Sequence, residues 1–461
     1  MSEPERQPGR PAAGPDDLLH APPLRAVVRL AMPTSTVMLV AATSNVLYTF
    51  YVSRLGADAI AAVALIFPIS LLAISAIGGG VGTGAASAIA RALGARRRAE
   101  AAALVEQALW LGLLLGIVFA AVMFAGARSL FHLMGGRGAV LDSATRFAQI
   151  LFGGAAISFS TGMIDSVLRG QSNVRVPAIW SSASLLLQIA LTPLLMFVAD
   201  LGLDGAPLAV LLSQCLALLP RLPHVFGRHA IVRPRVGLPR LLWGPLREIL
   251  RVGVPASLSA VINYGGVMVL TGVVARLGAP HLAAFGLGTR FDFLLLSFGF
   301  GVGTAVLTLV GLTTGAGRPR RAGVYAAYGS GMLAVLLTVA GALVCWQPQA
   351  WLGIFTSDPA ILQVGTAYLR IVGPTYPFVG VAMVLSFALQ GCGRATVPLM
   401  WVIVRVVGVV AAAIVCTQFL GFAHRAVFAV VAGSNVLAAL VMLLLFVVIQ
   451  RNVSADGASG S

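Results

Sequence analysis

This chain repeats itself. Arg54-Leu55-Gly56-Ala57 and Ala61-Ala62 return as Arg276-Leu277-Gly278-Ala279 and Ala283-Ala284, six identities in ten positions at a shift of 222 residues. Leu168, Gly170, Val176, Pro177 and Trp180 return as Leu389, Gly391, Val397, Pro398 and Trp401 at a shift of 221. Pro33 matches Pro255, and Gly94-Ala95 with Arg97 matches Gly315-Ala316 with Arg318. A near-constant shift across four separate stretches marks a duplication of halves of roughly 200 residues. The fold must therefore be two similar units, an organisation common among membrane transporters.

Composition says which solvent those units face. The chain has 461 residues, 58% hydrophobic and 10% charged, with a mean hydropathy of +0.94. A soluble domain carries about 25% charged residues. Apolar runs of about 20 residues recur throughout, each long enough to cross a hydrocarbon core. Within lipid such runs must be helices, because backbone groups need partners inside their own segment. Twelve spans are expected, near 26–53, 58–89, 101–126, 144–168, 176–199 and 204–222 in the first half. The second half gives 249–276, 281–312, 323–346, 361–390, 396–419 and 424–450. Six spans per half is an even number, so both halves enter from the same side. The fold class is all-α and polytopic: two parallel six-helix lobes related by a pseudo-two-fold axis along the membrane normal.

The formal net charge of +16 would point to nucleic acid in a soluble protein. Here all 31 basic residues are arginine, and about 22 fall on one side of the spans, as the positive-inside rule requires of the cytoplasmic face. Both termini are thus expected in the cytoplasm of an inner (plasma) membrane protein that binds no nucleic acid. Residues 1–22 and 451–461 read as polar cytoplasmic tails. Residues 23–222 and 249–450 read as the two lobes, and 223–248 as a basic linker carrying Arg228, Arg233, Arg235, Arg240 and Arg247. Cys215, Cys345, Cys392 and Cys416 have neither metal-ligand nor redox spacing. No cofactor and no metal is expected, and the chain is expected to act as a monomer.

Ionisable groups inside spans are the first place to look for function, because a charge at mid-membrane is costly. Asp292 lies eleven residues into its span, about 16 Å deep at 1.5 Å per residue. Its plainer reading is a structural ion pair with Arg370 of the tenth span. Its functional reading is a group that binds a coupling ion. Asp165 lies near the end of the fourth span, where Arg169, one turn on, is a sufficient structural partner; its functional reading makes it the second candidate ion-coupling group. Glu106 reads as interfacial, and Arg405 as a snorkelling or packing residue. Asn263, Tyr264, Met268, Arg290, Phe291 and Tyr376 are candidates for a cavity wall, with Phe293 and Phe378 as further aromatics. Pro33 and Pro255 each remove a backbone hydrogen bond at equivalent points and are candidate bends. The glycine-rich stretches Gly78–Gly84 and Gly299–Gly303 fit close helix packing, with local unwinding as the alternative.

The stretches RLGADAIAAV, ALGARRRAEA, VLRGQSNVRVP, TGAGRPRRA, YLRIVGPTYPFVG and ALQGCGRATVP, in this order, resemble the motifs of the multidrug and toxic compound extrusion (MATE) family over about residues 25–450. The run Ala283–Ala322 and YLRIVGP look most like its DinF-type branch. The resemblance implies a twelve-helix antiporter that exports drugs or organic cations, driven by inward flow of protons or sodium, as two lobes rock about a central cavity. It also marks a departure. Fifteen residues after Pro33, where the family commonly carries an Asp, this chain has Tyr48, while the nearby Asn is kept as Asn45. On the fifth helix the Asn and Asp positions read Gln188 and Thr192. A phenol stays protonated at neutral pH, so amino-lobe coupling of the usual kind is not expected, which leaves coupling through the carboxyl lobe, or no coupling, as the alternatives. Asn45, Tyr48, Gln188 and Thr192 are candidates for hydrogen-bonding a substrate in the cavity. The alternative function is a flippase for a lipid-linked or polysaccharide precursor, which asks for an arginine-lined cavity. An enzyme is not expected, since no HExxH, GxSxG or paired intramembrane aspartates occur.

Overall fold

The computed structural model describes residues 15–227, 230–234, 242–419 and 424–458. Among the described residues every regular element is helical, as satisfaction of backbone groups in lipid demands. A short helix, α1 (Pro15–His20), comes first. The amino lobe then comprises α2 (Pro23–Ser53), α3 (Asp58–Gly94), α4 (Arg98–Leu133), α5 (Gly138–Gly153), α6 (Ala155–Gly170), α7 (Arg175–Val198) and α8 (Gly202–Phe226). The carboxyl lobe comprises α9 (Trp243–Ala275), α10 (Ala279–Gly315), α11 (Pro319–Trp346), the short α12 (Pro348–Leu352), α13 (Pro359–Gly391), α14 (Thr396–Thr417) and α15 (Arg425–Arg451). Eleven of these helices are long and apolar enough to cross a membrane; α5 with α6, bent by 47°, makes a twelfth span when taken as one.

The repeated Arg-Leu-Gly-Ala motif has a backbone cause. Gly56 and Gly278 hold φ of 99° and 117° at the turns from α2 to α3 and from α9 to α10, a region where a side chain is strained and glycine is not. The duplication extends to an irregularity. Leu194–Val198 and Val415–Phe419, 221 apart, are both π-helical. One irregularity is not shared: Ser75–Val81 in α3 is π-helical, whereas its equivalent in α10 stays α-helical. Pro33 and Pro255 lie inside helices that run through them without a break.

The lobes meet along one half of α3 and α10. Val81 through Ala90 is buried without interruption, and so is Gly301 through Thr313; the other halves of both helices alternate buried with exposed positions. The close approach needs glycine at two equivalent places. A Cβ on Gly94 would lie 2.8 Å from the carbonyl carbon of Leu312, and one on Gly315 would lie 2.8 Å from that of Arg91. Since Arg91 and Leu312 are themselves equivalents, the two contacts are one contact seen twice. Ala90 faces Gly311, its own equivalent, so the pseudo-two-fold axis passes between them.

Three expected boundaries change. Residues 15–22 are not a free tail: Leu18 is 2% exposed, Tyr325 donates to its carbonyl at 2.7 Å, and Arg321 donates to that of Ala21 at 2.7 Å. Leucines at 18 and 19 give this segment an apolar contact that a purely polar tail lacks. The linker is shorter than 223–248, because α8 runs to Phe226 and α9 starts at Trp243. The last helix continues to Ala458, past the expected start of the tail at 451. Residues 1–14, 228–229, 235–241, 420–423 and 459–461 lie outside the described residues.

Candidate functional site

In the carboxyl lobe a single carboxylate is held by two phenols. Gly288 on α10 leaves room for the ring of Tyr368, which occupies the place a Cβ there would take. The hydroxyl of Tyr368 then reaches Asp292, one turn further along α10, and donates to its Oδ2 at 2.5 Å. Tyr376 donates to Oδ1 at 2.7 Å. Eight residues separate the two tyrosines, about 12 Å of α-helix, and the 3-10 turn Gly373–Thr375 lies between them on α13. Asp292 remains partly exposed while both tyrosines are buried. Among the described residues no cation pairs with the carboxylate, and its side-chain partners are two phenol donors that suit its charged form.

This corrects the expected pair with Arg370. That side chain is exposed, whereas Tyr368, two residues earlier on α13, faces inward. Around the carboxylate, Phe291 packs on Trp351 and Tyr376 with centroids 5.1 and 5.8 Å apart. Tyr264 of α9 stacks on Phe293 at 6.2 Å. Asn263 is exposed, Met268 is 76% exposed, and Arg290 is exposed over the ring of Phe355 at 5.7 Å. A polar chain runs back from the site. Arg405 donates to Asn435 at 2.7 Å, Asn435 donates to Thr375 Oγ1 at 3.0 Å, and Thr375 adjoins Tyr376. Arg405 thus serves the last helix rather than snorkelling to the interface.

The amino-lobe candidates do not converge in this way. Thr192 is 1% exposed, and its hydroxyl donates to the carbonyl of Gln188 at 2.7 Å; it is closed off from any cavity. Tyr48 packs partly buried against the lobe's apolar core, Gln188 is half-buried and Asn45 is exposed. Among the described residues no hydrogen bond joins the side chains of Asn45, Tyr48 and Gln188. Asp165 is paired, but not with Arg169. Arg221 Nε donates to its Oδ1 at 2.9 Å, and Ser181 donates to its Oδ2 at 3.0 Å. Arg221 also donates to Ser181 at 2.8 Å and to the carbonyl of Ala217 at 2.6 Å. Arg169 turns instead to Ser166, at 2.9 Å. A pair 56 residues apart wins because Arg221 meets both carboxylate oxygens from a buried position.

Sequence reasoning also missed how the lobes close. Ser87 of α3 donates to the carbonyl of Gln390 at 2.6 Å, and its equivalent Thr308 donates to the carbonyl of Arg169 at 3.3 Å. These are symmetry-related bonds across the lobe interface. Over them sits one bond with no counterpart. Arg91 donates to Glu248 at 2.6 Å, to the carbonyl of Gly391 at 3.2 Å, and to Ser87. The equivalents of Arg91 and Glu248 are Leu312 and Ala26. The one available signal was Glu248 itself, an acid where the first half has alanine.

Known proteins share this fold. The FAD transporter of Shewanella oneidensis is 26% identical over 384 residues, 82% of this chain and 84% of that protein. The probable multidrug resistance protein NorM of Thermotoga maritima is 26% identical over 322 residues, 68% and 69% of the two chains. An outward-facing multidrug resistance MATE family transporter of the MOP superfamily superposes with a TM-score of 0.90 at 26% identity, over 97% of this chain and 100% of that one. These relatives do not single out the DinF-type branch. The MatE family model matches residues 33–194 and 255–412, beginning in each half at the equivalent prolines Pro33 and Pro255. A multi-pass helical membrane protein matched in both lobes at its own repeat distance, the chain belongs to the MatE family of transporters and is not an enzyme.

Proposed function

We propose that the chain is a secondary antiporter that exports amphipathic or cationic small molecules across the inner membrane, with Asp292 as its coupling group. The observation that carries this reading is the Asp292–Tyr368–Tyr376 cluster. As a carboxylate, Asp292 accepts from both tyrosines. As a carboxylic acid it must donate through one oxygen, so one phenol loses its acceptor and the α10–α13 contact changes. Protonation is thereby tied to helix packing within one lobe. Proton coupling is favoured over sodium, because both oxygens are already engaged and a sodium ion wants several oxygen ligands.

The arginine-rich turns lie at the end where the lobes touch. With that end in the cytoplasm, as the positive-inside rule favours, the contact between the lobes closes the inward side. Rocking of the lobes about the axis at Ala90 and Gly311 then exposes the cavity alternately. The multidrug name of the Thermotoga relative supports a drug substrate, and the Shewanella relative adds FAD to the compounds worth testing. The flippase alternative gains nothing from the arginines: Arg405 is bonded to Asn435, and Arg290 lies over Phe355.

The test is transport of ethidium and of FAD in proteoliposomes under an imposed proton or sodium gradient. Wild type is compared with Asp292→Asn. Proton-driven transport that the variant loses while still binding substrate supports the reading. Equal transport by both proteins removes Asp292 from the mechanism, and sodium-driven transport alone replaces the ion.

A further inference from the structure

At the arginine-rich end an open recess lies between α2 and α7 of the amino lobe. Arg25, Val28 and Arg29 of α2 and Arg175 of α7 line it, around about 540 Å³ of space. Arg25 and Arg29 are one helical turn apart and share a face. Arg175 is the first residue of α7 and brings a third guanidinium group to the same recess. All three guanidinium groups are exposed, and among the described residues none makes a hydrogen bond or ion pair. Three arginines from two helices thus converge without a carboxylate.

What continues from the pocket is apolar. Met32 and Leu39 on the same stripe of α2, and Ile179 and Leu186 on α7, are large exposed hydrophobic side chains, 62%, 55%, 60% and 59% exposed. On a membrane-spanning helix such a stripe faces lipid chains. Guanidinium groups placed where acyl chains give way to headgroups match an anionic phospholipid, because the planar fork of arginine suits phosphate oxygens.

The duplication supplies an internal comparison. Arg25 and Arg29 return in the carboxyl lobe as Arg247 and Arg251, but Arg175 returns as Thr396 and Ala26 as Glu248. There Arg251 lies 3.9 Å from Glu248, so the pair is partly neutralised and lacks its third member. Side assignment of arginines alone would treat both lobes alike; among the described residues the three-arginine cluster of the amino lobe is not repeated at its carboxyl-lobe equivalents.

We infer that the α2–α7 pocket binds the phosphate of an anionic membrane lipid, with Arg25, Arg29 and Arg175 as its ligands and the adjoining apolar stripe holding the acyl chains. The test is native mass spectrometry of the delipidated full-length protein titrated with cardiolipin, with phosphatidylcholine as the neutral control and inorganic phosphate as competitor. Wild type is compared with Arg25→Gln/Arg29→Gln/Arg175→Gln, with the single variant Arg29→Gln in case the triple variant is unstable, and with Arg247→Gln. A cardiolipin affinity reduced by about tenfold or more in the triple variant, reduced less in Arg29→Gln and unchanged in Arg247→Gln, is the expected result. Equal loss in Arg247→Gln would reduce the pocket to general surface charge. Displacement of cardiolipin by millimolar inorganic phosphate would make it a free-anion site, and undiminished binding by both pocket variants would overturn the proposal.

Discussion

Arg91 on the amino lobe and Glu248 on the carboxyl lobe form an ion pair at 2.6 Å across the pseudo-two-fold axis, in a fold whose symmetry offers no second copy of it. The pair is sheltered, with Arg91 also held by the carbonyl of Gly391. It can exist only while the lobes touch at this end.

Reversing one charge should therefore loosen that end, and reversing both should restore it. Arg91→Glu places two acids face to face, whereas Arg91→Glu with Glu248→Arg re-forms the pair. Cys392 adjoins Gly391 and serves as the reporter in a protein whose other three cysteines are replaced. Maleimide labelling of Cys392 is expected to rise several-fold in Arg91→Glu and to return toward wild type in the double variant. Equal labelling of all three proteins would mean that the glycine contacts alone hold the lobes together.

At the candidate coupling site, Tyr368→Phe and Tyr376→Phe each remove one charge-assisted hydrogen bond, about 1.5–3 kcal/mol of stabilisation. Gradient-driven transport is expected to fall by about tenfold in each, with substrate affinity retained. If both variants transport at the wild-type rate, the phenols are packing residues and the carboxylate works without them.

Asp165 and Arg221 lead to a different expectation. Their side chains are 12% and 1% exposed, so removing one partner strands a buried charge, at a cost of about 3–5 kcal/mol. Arg221→Met should lower the melting temperature of the purified protein markedly. Adding Asp165→Asn to Arg221→Met should recover much of the loss. Proton-coupled transport by the double variant should remain once protein levels are equalised. Its abolition would return Asp165 to the list of coupling groups.

These sites differ in how far the sequence discloses them. The spans and their pairing were readable, because lipid forces apolar runs into helices and duplication fixes their order. Helix ends were readable only roughly: α4 reaches Leu133 and α9 starts at Trp243, beyond the apolar runs, since a helix leaving the membrane carries no hydropathy signal. The partners of buried charges were not readable. Local spacing offered Arg169 to Asp165 and depth offered Arg370 to Asp292, yet tertiary packing supplied Arg221 in one case and two tyrosines in the other. Nothing in local spacing joins Arg91 to Glu248, 157 residues away; only the packing of the lobes does.

The symmetry itself yields the last prediction. Gly94 and Gly315 each lie where a side chain would meet the backbone of the opposite lobe, 2.8 Å from the carbonyl carbons of Leu312 and Arg91 respectively. Backbone in a packed helix does not yield as a flexible side-chain end would, so the lobes must part to accommodate any Cβ. Gly94→Val and Gly315→Val should therefore have the same effect: stable protein, raised labelling of Cys392, and reduced transport. The ion pair between Arg91 and Glu248 lies beside this contact, and separation of the lobes would strain it in either variant. Restoring charge complementarity cannot relieve a steric wedge, so Gly94→Val should stay open even in the background with the charges of Arg91 and Glu248 exchanged. Wild-type labelling and transport in both valine variants would show that this end of the interface is soft, and that closure rests on the polar bonds of Ser87, Thr308 and Arg91 instead.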